Sequence, residues 1–303
     1  MKKQLLIGAL FLSVGFVACN QKSATTEKQA DVLVENMDTT INPADDFFGY
    51  ACGGWIKKNP IPASEKGFGI WTMVMNETYN RTKTISEAAG KAEAAKGSIE
   101  QKIGDFYFTG MDTVSIDKNG IKPLKSEIDA INGIKTKEDV LAIVARMQVY
   151  GASPFFSAYV YQDEMNSEQV TLHIGQGGIG LPDRDYYFNN DARTKNIREE
   201  YKKHIVNMFK LMGQDSTTAT TNMNKVWNLE LSFAKASRKL EDLRDPYANY
   251  NKKAVSELNK LTPSINWSTL FSGMKMQKVD TAIVGQPEFL KQMEASIKSV
   301  SIE

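Results

Sequence analysis

Apolar residues recur along most of this chain at three- and four-residue spacing, the pattern of helices that bury one face. Asn42-Pro43 reads as an N-cap followed by proline at the first helical position, with Asp45 and Asp46 in the first turn and Gly53-Gly54 as the stop. Trp71, Val74, Thr78, Ile85 and Ala88 share one face of a long helix, and Ile99, Ile103, Phe106 and Tyr107 mark the next. Thr136 with Asp139 three residues on has the form of a capping box, and Val140, Leu141, Val144 and Met147 follow at helical spacing up to Gly151. Ile197, Tyr201, Ile205, Met208 and Met212 predict a helix from about Asp191 that Gly213 ends. Met223, Val226, Trp227 and Leu240 belong to a fifth, and 254–261 to a shorter one.

One region breaks this period. Residues 154–161 are aromatic and β-branched, Val170 to Ile174 alternates with period two, and a polar turn-rich stretch joins them. That is a hairpin. The expected fold class is mainly α, a multi-helix domain with an inserted β-hairpin. The last helix opens at Gln286-Pro287 and carries Phe289, Leu290, Met293, Ile297 and Val300 on one stripe. With no residues after Glu303 to cover it, the stripe is expected to lie bare, as in a chain that continues elsewhere.

The N-terminus follows a different logic. Met1-Lys2-Lys3, an apolar run from Leu5 to Ala18, and Cys19 make a basic segment and an apolar core of signal-peptide length. The run falls short of the roughly 20 apolar residues a spanning helix needs. Phe16-Val17-Ala18-Cys19 is similar to the lipobox of bacterial lipoproteins, with Phe16 where leucine is commoner, and Cys19 is then the lipidated residue. A plain secretory signal with an incidental cysteine is the alternative, and either places the mature chain outside the cytoplasm. The expected organisation is a signal peptide over 1–18, a flexible tether over 19–40, rich in Ser, Thr, Gln and Lys, and one helical domain over 41–303.

Composition narrows the function classes. With 21 Gly, 9 Pro and 2 Cys among 303 residues, the chain is neither collagen-like nor disulfide-stapled. Lys+Arg 37 against Asp+Glu 36 leaves +1, and removing Lys2 and Lys3 with a signal turns that to −1, so no global field draws nucleic acid. If Cys19 carries lipid, Cys52 stands alone in an oxidising compartment. An odd cysteine there implies an intermolecular partner, a reactive thiol, or a missing part of the chain.

Residue-level chemistry is sparse. His173 and His204 are the only histidines, so the paired arrangement His-Glu-x-x-His of zinc peptidases is absent, and no Gly-x-Ser-x-Gly marks a serine nucleophile. His173 falls on the polar face of its strand, and His204 beside Tyr201, Ile205 and Met208; both read as ordinary exposed or boundary residues. Gly175-Gln-Gly177-Gly178-Ile-Gly180 matches the dinucleotide fingerprint in letters. It lacks the helix that should start at its glycines, so close backbone packing at the hairpin exit is the better reading. Asn76, Asn80 and Asn266 begin glycosylation sequons that a bacterial signal makes coincidental. No residue is assigned a catalytic, metal-binding or cofactor-binding role.

Three strings carry a resemblance. Asp45-Asp46-Phe-Phe-Gly-Tyr-Ala-Cys-Gly-Gly-Trp-Ile-Lys-Lys-Asn-Pro-Ile-Pro62 resembles the opening of the neprilysin and endothelin-converting-enzyme family of zinc metallopeptidases. Gly178-Ile-Gly-Leu-Pro-Asp-Arg-Asp-Tyr-Tyr187 is similar to that family's mid-domain signature, and Leu243-Arg-Asp-Pro-Tyr-Ala-Asn-Tyr-Asn251 to its third. The resemblance covers roughly residues 36–303, the family's N-terminal half.

It implies a largely helical domain that caps a catalytic domain and encloses the substrate chamber, while the zinc ligands belong to a C-terminal half. Zinc is then the cofactor of the longer protein, with none expected in this chain, and its partners are peptide substrates, the missing catalytic domain and a membrane reached only through lipid. The resemblance also implies a late cysteine as the lost partner of Cys52. In an ungapped alignment Gly67 and Met75 stand where some relatives place a carboxylate-clamping arginine, which implies internal cleavage. The whole would be a zinc metalloendopeptidase acting on oligopeptides, and residues 1–303 alone inactive. The alternative is a non-catalytic helical lipoprotein that binds peptides or partners. An envelope-attached scaffold is a third, more generic reading.

Overall fold

Capping side chains set where the helices of this computed structural model begin; it describes residues 31–302. The readings of residues 1–18 as a signal and of Cys19 as a lipid site lie outside the described residues. Thr136 Oγ1 accepts from the backbone N–H of Asp139 at 3.1 Å, and the Asp139 carboxylate accepts from that of Thr136 at 2.9 Å, so the helix Lys137–Val149 starts on the box its sequence announces. Asp191 caps Ala192–Leu211 by accepting from the Thr194 N–H, and Asp215 caps Ser216–Ala236 through Thr217 and Thr218.

The chain divides into two units, one up to Thr113 and one from Val114. In the first, Asp46 caps the helix Phe47–Lys58, and Gly53 and Gly54 lie inside it rather than ending it. They serve close approach: a Cβ on Gly53 would sit 2.9 Å from that of Asp38, and one on Gly54 2.5 Å from the Met37 carbonyl oxygen. The segment crossing there includes the short helix Val32–Asn36, in the stretch read as tether, and the buried Asp38. The Lys57 ammonium, with Thr40, holds the Asp38 carboxyl at about 2. Asn59-Pro60 is the true stop of this helix. The helices Ile70–Lys91 and Ile99–Met111 pack on each other and keep Trp71 and Phe106 exposed.

The second unit is built on a four-stranded sheet in the order β1-β2-β4-β3, where β1 is Phe156–Asp163, β2 Asn166–Gln176, β3 Lys252–Ala254 and β4 Thr281–Val284. The expected hairpin is β1 and β2, antiparallel, with Tyr159 opposite His173. Strand β4 joins β2 in parallel, with Ile283 beside His173, and β3 closes the far edge antiparallel to β4. Alternation sends Phe156, Leu172, Ile174, Ala282 and Val284 to one face, and helices cover that face.

One of those helices is Pro287–Ser299, and here the sequence reading needs correction. Its stripe is not bare: Phe289, Leu290 and Met293 are fully buried and Ile297 nearly so, in the core that includes Phe233 of the helix Ser216–Ala236 and Trp267 of Trp267–Gly273. The covering surface comes from earlier in the chain. Of the expected stripe only Val300, at the helix end, stays exposed.

Candidate functional site

The other face of the sheet forms the floor of a cleft of about 400 Å³. Ser157 and Tyr159 of β1, His173 and Gly175 of β2 and Ile283 of β4 line it from below, and Leu243, Arg244, Pro246 and Asn249 roof it. The roof is part of the third string, so that string's role here is to close over the sheet. Three amide side chains hold it in register. Gln176 exchanges two hydrogen bonds with the backbone of Arg238, at 2.7 and 3.0 Å. Gln286 accepts from the Gln176 N–H at 2.9 Å and donates to Asn249 Oδ1 at 2.7 Å. The Arg238 guanidinium donates to the Ala248 carbonyl and, by two nitrogens, to both oxygens of Glu288. Such planar, forked pairing fixes orientation as well as distance.

His173 lies under this roof and is buried, so the strand alternation gives its face correctly and misses its exposure. The Tyr159 ring stacks on it at 5.1 Å and the Tyr161 ring meets it edge-on. Its Nδ1 is 3.7 Å from a carboxylate oxygen of Glu164, and Nε2 has no hydrogen-bond partner.

Below the hairpin tip Asp163 is buried and satisfied three ways: by Lys252 Nζ at 2.7 Å, by the Tyr250 hydroxyl at 2.9 Å and by the Met165 N–H at 2.9 Å. The Lys252 ammonium, ahead of the other donors, lowers its carboxyl to about 2. A carboxyl depressed on folding stabilises above its unfolded value, near 3.9, and that share is lost as pH falls through the folded value. The wild-type chain is therefore expected to lose stability between about pH 4 and pH 2, and Asp163→Asn to be less stable at neutral pH with a flatter acid limb. Urea midpoints measured across that range check it. Parallel limbs for the two proteins would remove Asp163 from the acid transition.

The hairpin exit runs through Gly175 to Gly180, and no helix begins at those glycines; the next is the four-residue turn Asp185–Phe188. Its end is pinned by a tyrosine pair. Tyr187 accepts from the N–H groups of Gly180 and Leu181 at 3.2 Å and donates to Glu230 at 2.7 Å, and Tyr201 donates to the same carboxylate at 2.8 Å. Burial first, then Glu230, pushes both hydroxyls above the usual phenol range. Trp227 stacks on Tyr187, and Lys202 Nζ sits 4.6 Å over the Trp227 ring. The mid-domain string is thus the latch between the hairpin and two helices. Sequence reasoning missed Glu230, because a carboxylate inside a helical run gives no local sign that it faces inward.

The remaining candidate residues do not gather. His204 is exposed on the helix Ala192–Leu211, and Cys52 is half-buried in Phe47–Lys58 with no disulfide partner among the described residues. Cys19 is outside them. Among the described residues no group of three or more His, Cys, Asp or Glu side chains could hold a metal ion, so the residues present do not fit a zinc centre. No described helix is long and apolar enough to cross a membrane. The arrangement offers a cleft of mixed lining and a hydrogen-bonded frame around it.

Comparison with known proteins matches residues 43–303 to the N-terminal model of Peptidase family M13. The chain is 30% identical to endothelin-converting enzyme 1 of Mus musculus, over 99% of this chain and 42% of that protein. It is 28% identical to neprilysin-3 of Drosophila melanogaster, over 86% and 35%. Among solved structures it resembles the zinc metalloprotease Zmp1 of Mycobacterium tuberculosis in complex with inhibitor. That match has a TM-score of 0.79 and 26% identity, covering 88% of this chain and 41% of that one. The chain spans about two fifths of the length of these relatives.

Proposed function

This chain belongs to peptidase family M13, and from that premise we propose that it is the N-terminal part of a zinc metalloendopeptidase that hydrolyses oligopeptides outside the cytoplasm. The observation that carries the reading is the match over residues 43–303 to a peptidase family, joined to a fold shared with a zinc metalloprotease. In this reading the segment caps the substrate chamber, and the zinc is held by residues other than those described here. Its side chains contribute shape, a wall and a rigid frame for the cap. Gly67 and Met75, in place of arginines, favour cleavage within a chain over release of its end. The basic start, the apolar run and Cys19 support export and a lipid anchor, and Cys52 is then an unpaired thiol in this chain.

The test is a peptidase assay with metal analysis on the purified 303-residue chain, beside any longer protein encoded in frame beyond codon 303. The expected result is no turnover and no stoichiometric zinc in the short chain, and chelator-sensitive hydrolysis of oligopeptides in the long one. Stoichiometric zinc with cleavage by the short chain would overturn the division of labour. A long protein with zinc and no peptide hydrolysis would overturn the activity.

A further inference from the structure

Strand β1 is an edge of the sheet, and hydrogen-bond parity tells which of its groups are free. The Ile174 carbonyl accepts from the Gly285 N–H at 2.8 Å, and the Gln176 N–H donates to Gln286, so these residues of β2 turn their backbone toward β4. His173 and Gly175 therefore turn toward β1 and bond to Tyr159 and Ser157. By the same alternation Phe156, Ala158, Val160 and Gln162 present N–H and C=O outward. Gln148 covers the Phe156 carbonyl at 2.7 Å, which confirms the parity and closes that end. The register shift at Gln162/Asp163 closes the other. Between them lies an open run of five residues, about 17 Å long.

Natural sheet edges are blunted by lysine, proline, inward charges or a covering element. This run, Ala158-Tyr-Val-Tyr-Gln162, has no charge and no proline, and Tyr159, Val160 and Tyr161 are exposed along it. Two tyrosines stand on one face and a valine on the other, the pattern that holds alternate side chains of an added strand.

We propose that the β1 edge from Ala158 to Gln162 binds an extended, uncharged peptide segment as a fifth strand. Length favours a peptide over a second copy of the chain: pairing over five residues covers a fraction of the roughly 1,200–2,000 Å² of a stable protein interface. The neutrality of the run selects an uncharged segment. The choice of a peptide as occupant rests on the peptidase reading; the open edge does not. For a peptide substrate the strand would be a holding site, with affinity from main-chain hydrogen bonds and preference from the two tyrosines.

The test uses the 303-residue chain and a fluorescein-labelled acetyl-Thr-Val-Tyr-Val-Thr-amide read by polarisation, with its fully N-methylated analogue as control. Val160→Pro removes one outward N–H and leaves the ladder to β2 untouched, and Val160→Lys adds an edge charge while keeping every backbone donor. Saturable binding is expected, weakened at least tenfold by either substitution and absent for the N-methylated peptide, with unchanged thermal midpoints. No binding, or binding indifferent to both substitutions, would overturn the proposal. So would a concentration-dependent dimer that Val160→Pro abolishes, since the edge would then belong to a second copy. Hydrolysis by a longer protein is read separately, so its loss refutes the peptidase reading, whereas Val160-independent binding refutes only the edge.

Discussion

Trp267→Ala is expected to destabilise the unit from Val114 onward by about 4 kcal/mol, the middle of the range for emptying a large aromatic site. Trp267 is fully buried. Its ring meets Phe156 of β1 edge-on at 5.5 Å and Phe271 at 5.5 Å, so it joins the sheet to the helix Trp267–Gly273. The cavity cannot collapse, because both neighbours are held from behind by the sheet and by their own helix. For a unit of this size the loss corresponds to a fall of roughly 8–16 °C in the thermal midpoint, followed by far-UV circular dichroism. Trp267→Phe keeps an aromatic ring in the site but gives up part of its volume together with the indole N–H. It removes the indole N–H that Thr262 Oγ1 accepts at 2.7 Å, while that hydroxyl still donates to the Leu258 carbonyl at 3.0 Å. No buried donor is stranded, so about 1 kcal/mol is expected for the lost hydrogen bond and about 1 kcal/mol more for the space the smaller ring leaves. Equal losses for the two variants would show that the hydrogen bond, and not the packing, holds this corner.

Such a core was partly legible in the sequence. Helix starts were readable because a cap is local: Thr136 with Asp139, and Asp191, announce themselves within four residues. The hairpin was readable because period two is local as well. Strands β3 and β4 were not, being three and four residues long and paired with partners that alternation cannot name. The final helix shows the same limit. Its stripe over Phe289 to Ile297 demanded a partner, and the sequence could say that a surface was missing without showing that Phe156, Ile174 and Phe233 already provide it. Leu240 falls outside its predicted helix because Ser237 ends that helix at Ala236. Family membership came from strings, and the structure gives two of them physical meaning as a roof and a latch. It shows nothing comparable for metal chemistry, because that chemistry needs ligand side chains that the described residues do not bring together.

Glycine was the residue most open to misreading, and Gly178→Ala gives the sharpest test of what it does here. The glycines from Gly175 to Gly180 invite a phosphate-binding interpretation, yet Gly178 has φ +66°, and a Cβ there would lie 2.8 Å from the Pro154 carbonyl oxygen and 2.9 Å from that of Phe155. Phe233 Cδ2, also at 2.9 Å, could swing aside; two backbone oxygens at the entrance of β1 cannot move without opening the hairpin. Left-handed backbone costs a residue with a Cβ about 1–2 kcal/mol, and forcing atoms into filled space about 1–3 kcal/mol more. Gly178→Ala is therefore expected to lose about 2–5 kcal/mol. Gly213 supplies the control, because it has φ +94° at a helix end with nothing within 4 Å of where its Cβ would be. Gly213→Ala carries the backbone term alone, about 1–2 kcal/mol. Urea midpoints of the two variants against wild type measure the difference. A larger loss at Gly178 assigns this string to the joint between hairpin and core, and equal losses would return it to the loop chemistry its letters suggest.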